Sequence, residues 1–205
     1  MRPTLLPQAD RVAGYARQDE PGRAALEIAR FAYPDLDSDA YLSRLDVLAG
    51  EVQGTTHLSL RRVISIAHGF GGNFDDYENP DNSFLNRVLE TRRGIPISLS
   101  VLWIEVGRRA GLEMQGVGVP GHFLVYAAGQ LVDPFHYGEA IGSDEAASLV
   151  SEALGGPPRL DRRWLEPVET VDLIRRMLRN LETIYRRLDD EVSTRWVLAC
   201  RDALD

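Results

Sequence analysis

One cysteine, Cys200, is all the chain has, so no disulfide can close within it and no cysteine-based zinc site can form. Nor is there an apolar run approaching the roughly 20 residues that span a bilayer. Arg2, Pro3, Pro7 and Asp10 interrupt the N-terminus where a signal peptide would be apolar. The chain therefore reads as cytoplasmic, with no membrane partner. Basic charge is also in deficit. A formal net charge of -8 and a pI near 5.1 exclude the basic face that nucleic acid rewards. What is present is 44% hydrophobic residues over 205 positions, enough to bury one sizeable core with at most a small appendage. Cys200 itself follows Trp196, Val197, Leu198 and Ala199. In such a terminal amphipathic helix it reads as a small buried hydrophobe rather than a nucleophile.

The first seventy residues read as helices. Pro21 opens one, with Ala25, Leu26, Ile28 and Ala29 at helical spacing and the Tyr33-Pro34 step closing it. Asp37 or Ser38 caps a second, carrying Tyr41, Leu42, Leu45, Leu48 and Val52 on one stripe up to Gly54. A third, from Leu58 to about His68, is expected to turn Leu60, Val63, Ile64 and Ala67 inward. His57 and His68 have no acidic or histidine neighbour at ligand spacing and read as surface or capping residues. The polar stretch from Asn73 to Asn82 lacks the residue order of a calcium loop and the glutamate that would close it. A short helix with Phe84, Leu85, Val88 and Leu89 inward follows, then a helix from Pro96 to Arg109 that is apolar nearly all round and belongs at the centre of the core.

Beyond Gly111 the period changes to two. Val117 and Val119, then Phe123 and Val125, then Leu131 mark three short strands, separated by Pro120-Gly121 and by Ala127-Ala128-Gly129. A helix over Ser143 to Leu154 precedes the linker Gly155-Gly156-Pro157-Pro158. The last forty residues form a helical hairpin whose first helix carries Leu173, Ile174, Met177, Leu178, Leu181, Ile184, Tyr185 and Leu188. A lone hairpin cannot bury both faces, so it must pack on the main domain or on a partner.

The chemistry-bearing arrangement is a buried helix that begins at a Gly-x-Pro step, followed by strands bearing His122 and Asp133. A helix N-terminus is where a cysteine nucleophile is best activated, with a histidine and an acid on adjacent strands as base and orienter. Loop length decides whether the two side chains meet. A four-residue loop places them directly opposite, and a two-residue Ala128-Gly129 turn makes them diagonal neighbours on one face. An unbulged three-residue loop would put them on opposite faces. The plain alternative is that the histidine is a packing residue and that an aspartate before proline merely starts a turn.

The run Asn79-Pro80-x-Asn82-Ser83-x-Leu85-x-x-Val88-Leu89-x-x-Arg92-Arg93-Gly94-Ile95-Pro96-Ile97-Ser98-Leu99-Ser100 resembles the SirB-type transglutaminase-like family. So do Val119-Pro120-Gly121-His122-Phe123 and Val132-Asp133-Pro134-Phe135, and the hairpin resembles a single tetratricopeptide-type repeat. The resemblance implies an α+β fold: a papain/transglutaminase-like core over 1–158, with helical lead-in, buried central helix and small antiparallel sheet, then the hairpin over 159–205. It also implies a Cys-His-Asp triad in the wider superfamily. The histidine falls on His122 and the acid on Asp133, a vestigial pair, because the cysteine position falls on Pro96. Proline suits the first helical position but carries no nucleophile.

Ser98 is the one weak substitute, pointing roughly 200° away from position 96 around the helix, and Ser100 lies about a turn deeper. The sequence therefore predicts a domain that has lost its nucleophile and serves as a binding or regulatory module for a protein or peptide, with no cofactor and no metal. The alternatives are a hydrolase or acyltransferase using Ser98 or an activated water, a purely structural domain, and a metal-assisted hydrolase using His122, Asp133 and His136. Crowding at the strand ends argues against the last.

Overall fold

A computed structural model describes residues 5–157 and 160–205. Arg2, Pro3 and the expected boundary at 158/159 lie outside the described residues.

The chain begins with helices α1 (Leu5–Arg17), α2 (Pro21–Ala32) and α3 (Ser38–Gly50). Helix α1 was not expected, since its inward stripe of Ala9, Val12, Ala13 and Ala16 is mostly alanine and gives little contrast. Asp37 caps α3 by accepting from Ala40 N at 3.1 Å. Helix α4 (His57–Arg61) continues into a π-wound segment, Arg62–Ala67. The wider turn, seen in His68 N donating to Val63 O at 3.1 Å, shifts the phase of the stripe. Leu60, Val63 and Ile64 point inward as expected, but Ser65 is buried and Ala67 exposed. The fold also gives His68 an acidic neighbour: its Nε2 lies 2.7 Å from Glu51 Oε2.

A two-residue strand, β1 (Gly71–Gly72), pairs in parallel with β2 (Arg93–Gly94), which follows α5 (Leu85–Thr91). Helix α6 (Pro96–Arg109) is buried along nearly its whole length, Pro96 included, and carries Trp103 at the centre of the core. Strands β3 (Met114–Val119), β4 (His122–Ala127), β5 (Gln130–Asp133) and β6 (Glu139–Ala140) then form an antiparallel meander. Helix α7 (Ser143–Leu154) follows, and β7 (Pro167–Val168) completes a five-stranded sheet of order β6-β5-β4-β3-β7. The architecture is α+β: one face of a small antiparallel sheet, with Phe123, Val125 and Val132, packs on α6 and the main helical core, and the other, with Val117, Leu124 and Leu131, packs on Val150 of α7.

Helices α8 (Thr170–Arg187) and α9 (Glu191–Asp202) form the C-terminal hairpin. It packs on the body of the molecule: Leu173, Met177, Leu181, Trp196 and Cys200 belong to one continuous core cluster with Val12, Ala25, Ile28 and Val101. Phe31 of α2 stacks on Trp196 of α9 at 4.2 Å between ring centres. Strand β7 belongs to the same C-terminal segment and pairs with β3, so residues 160–205 share both core and sheet with what precedes them. No helix among the described residues is long and apolar enough to cross a membrane.

Candidate functional site

The β4–β5 register is set by the turn between the strands. Ala127 faces Gln130 and Val125 faces Val132, so the connection has two residues, Ala128 at φ 50° and Gly129 at φ 80°. This is the double positive-φ conformation that matches strand twist in a tight hairpin. In that register Asp133 lies across from Leu124, and His122 is its diagonal neighbour on the same face. The side chains close the gap, with His122 Nε2 2.8 Å from Asp133 Oδ2.

Asp133 is almost fully buried, yet its oxygens are well occupied. Oδ1 accepts from the backbone N–H of Phe135 at 2.9 Å and of His136 at 3.4 Å, and a tight loop returns the chain so that Gly138 N donates to Asp133 O at 2.7 Å. The aspartate thus starts a turn and holds a histidine at once. The same loop brings His136 Nδ1 to 2.8 Å from Asp133 Oδ2. Burial by itself pushes the Asp133 carboxyl up, but the hydrogen bonds and charges of His122 and then His136 outweigh it and hold the group below the usual carboxylate range. With ionised Asp133 accepting from Nε2, the free lone pair of a neutral His122 sits on Nδ1.

Around this trio the surface is aromatic. Phe74 lies edge-on to Phe135 at 4.6 Å and 5.5 Å from the His136 ring, Tyr77 is 5.8 Å from Phe135, and more than half of Phe74 and somewhat less than half of Tyr77 is open to solvent. The polar residues between them are tied to one another. Asn73 Nδ2 donates to Asn82 Oδ1 at 2.9 Å, Asn82 Nδ2 to Asp76 O at 2.6 Å and Asn79 Nδ2 to Asp76 Oδ2 at 2.8 Å. From α8, Arg176 reaches in to donate to Val119 O at 3.1 Å and His122 O at 3.4 Å. Burial, with neighbouring Arg179 adding to it, pushes the Arg176 guanidinium down from its ordinary value.

At the head of α6, Pro96 occupies the first helical position. The Ser100 hydroxyl donates to Pro96 O at 2.8 Å and lies 3.5 Å from Phe123 O, tying the start of the helix to the residue after His122. Ser98, the substitute nucleophile considered from the sequence, is turned away. It is fully buried, its hydroxyl donates to Asn82 O at 2.6 Å, and its oxygen accepts from Ile95 N at 3.1 Å. It fastens the Asn79–Asn82 turn to α6 and presents no free hydroxyl to His122. Cys200 is buried in the hairpin, where desolvation, then the charge of Glu27, pushes its thiol up to about 12.

His122 and Asp133 are thus brought together, the start of α6 reaches the strand that carries His122 through the Ser100–Phe123 approach, and Ser98 does not join them. Phe74, Tyr77 and Arg176 were missed because only folding brings them near residue 122. His136 stands three residues after Asp133, a spacing that already allows both to serve one turn.

The family model for the transglutaminase-like superfamily matches residues 39–179. A UPF0162 protein of Xylella fastidiosa strain Temecula1 is 40% identical over 195 residues, covering 87% of this chain and 68% of the relative. A UPF0162 protein of Vibrio cholerae is 28% identical over 138 residues, 65% of this chain and 49% of the relative. F-box only protein 21 of Homo sapiens is 40% identical over 72 residues, 33% of this chain but 12% of that protein. No solved structure matches.

Proposed function

Since the chain belongs to the transglutaminase-like superfamily, we propose that it is a SirB-type member whose papain-like cleft has lost its thiol and works in the cytoplasm as a binding or regulatory module for a peptide or protein. The carrying observation is the buried Pro96 at the first position of α6, beside a strand that holds an intact His122–Asp133 pair. A base and its orienter remain, but the atom they would activate is missing. Removing a triad nucleophile leaves only the small residue of catalysis that binding and polarisation supply. The nearby hydroxyls do not replace it, because those of Ser98 and Ser100 are bonded to main-chain oxygens.

The chemistry of the cleft points to its ligand. Exposed Phe74 and Tyr77 offer aromatic faces, and Arg176 and Arg179 have no carboxylate partner among the described residues. A peptide segment with apolar and acidic side chains fits that lining. The second reading, a hydrolase that activates water, draws on the same His122–Asp133 contact.

A restored thiol tests the proposal. Pro96→Cys should create a cysteine that iodoacetamide alkylates at neutral pH far faster than the buried Cys200, and the rate should fall when His122→Ala is added. Native protein should neither be labelled by a fluorophosphonate nor turn over peptide amides. Labelling of the unmodified chain that disappears with His122→Ala would mean that it is an enzyme after all.

A further inference from the structure

Two of the four histidines in the chain converge on one oxygen. Asp133 Oδ2 lies 2.8 Å from His122 Nε2 and 2.8 Å from His136 Nδ1, and all three donor atoms fall within 4.8 Å of one another. Orienting a general base takes one carboxylate and one imidazole, so the second imidazole is surplus to that task. For neutral rings, both nitrogens facing Oδ2 must carry protons, which aims two N–H dipoles at a single atom. One dication at that meeting point would satisfy all three groups at once.

We propose that His122, Asp133 and His136 form a two-histidine, one-carboxylate site for a divalent transition metal of the Zn²⁺ type. Imidazole nitrogen with one carboxylate oxygen is a donor set that Zn²⁺ and its neighbours take, whereas Ca²⁺ and Mg²⁺ ask for oxygen throughout. Zinc–nitrogen and zinc–oxygen bonds of about 2.0–2.1 Å put tetrahedral donors about 3.3 Å apart. The two present contacts of 2.8 Å need to widen by about half an ångström, and the two imidazole nitrogens, within 4.8 Å of each other, need to settle at the same spacing.

The surrounding contacts favour the arrangement. Main-chain N–H groups of Phe135 and His136 hold Oδ1, fixing the carboxylate so that Oδ2 faces the imidazoles, as supporting contacts do around bound metals. The His136 side chain is 46% exposed, so it can rotate to adjust. Arg176, bonded to the His122 carbonyl, opposes a dication, while the Asp133 carboxylate in the site and a net charge of -8 favour one. Besides that adjustment, loading requires a tautomer change in each ring. The proton on His122 Nε2 moves to Nδ1 and that on His136 Nδ1 to Nε2, both through solvent, with none released from neutral rings.

This inference goes beyond the binding reading and stands whether or not the cleft takes a peptide. The test uses the full chain, stripped by chelator, dialysed, and titrated with ZnCl₂ in a calorimeter and with CoCl₂ in a spectrophotometer. One ion per chain is expected, with a visible cobalt d–d band that reports mixed nitrogen and oxygen ligands. His122→Ala, Asp133→Asn and His136→Ala should each weaken affinity by at least about tenfold, and His68→Ala, whose ring pairs with Glu51, should leave it unchanged. Because His136 lies at the surface, His136→Ala keeps the test independent of folding, which the circular dichroism of each variant checks. Absence of stoichiometric Zn²⁺ binding, or binding of undiminished affinity in His136→Ala, overturns the proposal.

Discussion

Helix α8 takes part in two regions that differ in kind. One face of it, with Leu173, Met177 and Leu181, joins α9 in a dry, apolar interface against the N-terminal helices, sealed by the Phe31–Trp196 stack. A few residues along, Arg176 reaches the carbonyl of His122, where hydrogen-bonded polar groups adjoin a partly exposed surface of histidines and aromatic rings. The first region gains stability from area removed from water, to which every buried methylene adds. The second gains geometry: its bonds fix where Asp133 and two imidazoles stand. Mutations should therefore cost stability in the first region and ligand binding in the second.

Trp196→Ala offers the largest test of that division. It empties a fully buried indole site and should lower unfolding free energy by about 3–5 kcal/mol, as read by urea denaturation. A loss under 1 kcal/mol would show that the hairpin is dispensable to the core. Gly138→Ala comes next and probes the border between the regions. Gly138 sits at φ +68°, and a Cβ there would overlap the Trp103 ring. A cost of at least about 2 kcal/mol is expected, with near-ultraviolet circular dichroism showing the Trp103 environment disturbed.

A smaller effect belongs to Asp190, whose side chain caps α9 by accepting from Val192 N at 3.1 Å and Ser193 N at 3.0 Å. Asp190→Ala should cost about 1 kcal/mol. The bond from the Ser193 side chain, then that from its backbone, depresses the Asp190 carboxyl below its ordinary 3.8. Its electrostatic contribution is therefore complete above that value and is lost as pH falls through the lower folded value. The gap between wild type and mutant should narrow only in that acid range, and a gap closing near neutrality would assign it to another group. The smallest effect is expected from His136→Ala. Its half-exposed ring should shift stability by no more than about 0.5 kcal/mol while abolishing whatever the cleft binds through it. A large drop in melting temperature would erase the contrast between the two regions.

Much of the fold was legible because its signals are local. The bounds of α6 and α7 follow from the Pro96 start and the Gly155 stop around periodic apolar stretches, and the three main strands from alternation between turn residues. Helix α1 escaped because alanine contrasts weakly with its surroundings. The inward stripe after α4 was misphased at Ala67 because a π-turn adds a residue per turn, and side-chain period alone does not register that. In the site, His122 and Asp133 were legible from spacing and turn chemistry, but the choice among three loop registers was not. Ala128 resolves it by adopting a positive φ, a conformation that no alanine advertises.

By itself the sequence determined most of the helices, the three main strands, the single cysteine and the proline at the head of α6, since each depends on residue identity or on neighbours a few positions away. Tertiary structure alone decided that the hairpin closes the core, that Ser98 is spent on a main-chain oxygen, that Arg176 backs the His122 carbonyl, and that His136 shares the oxygen His122 uses. Those outcomes depend on which surfaces meet once apolar area is buried, and contacts between residues tens of positions apart leave no periodic trace along the chain.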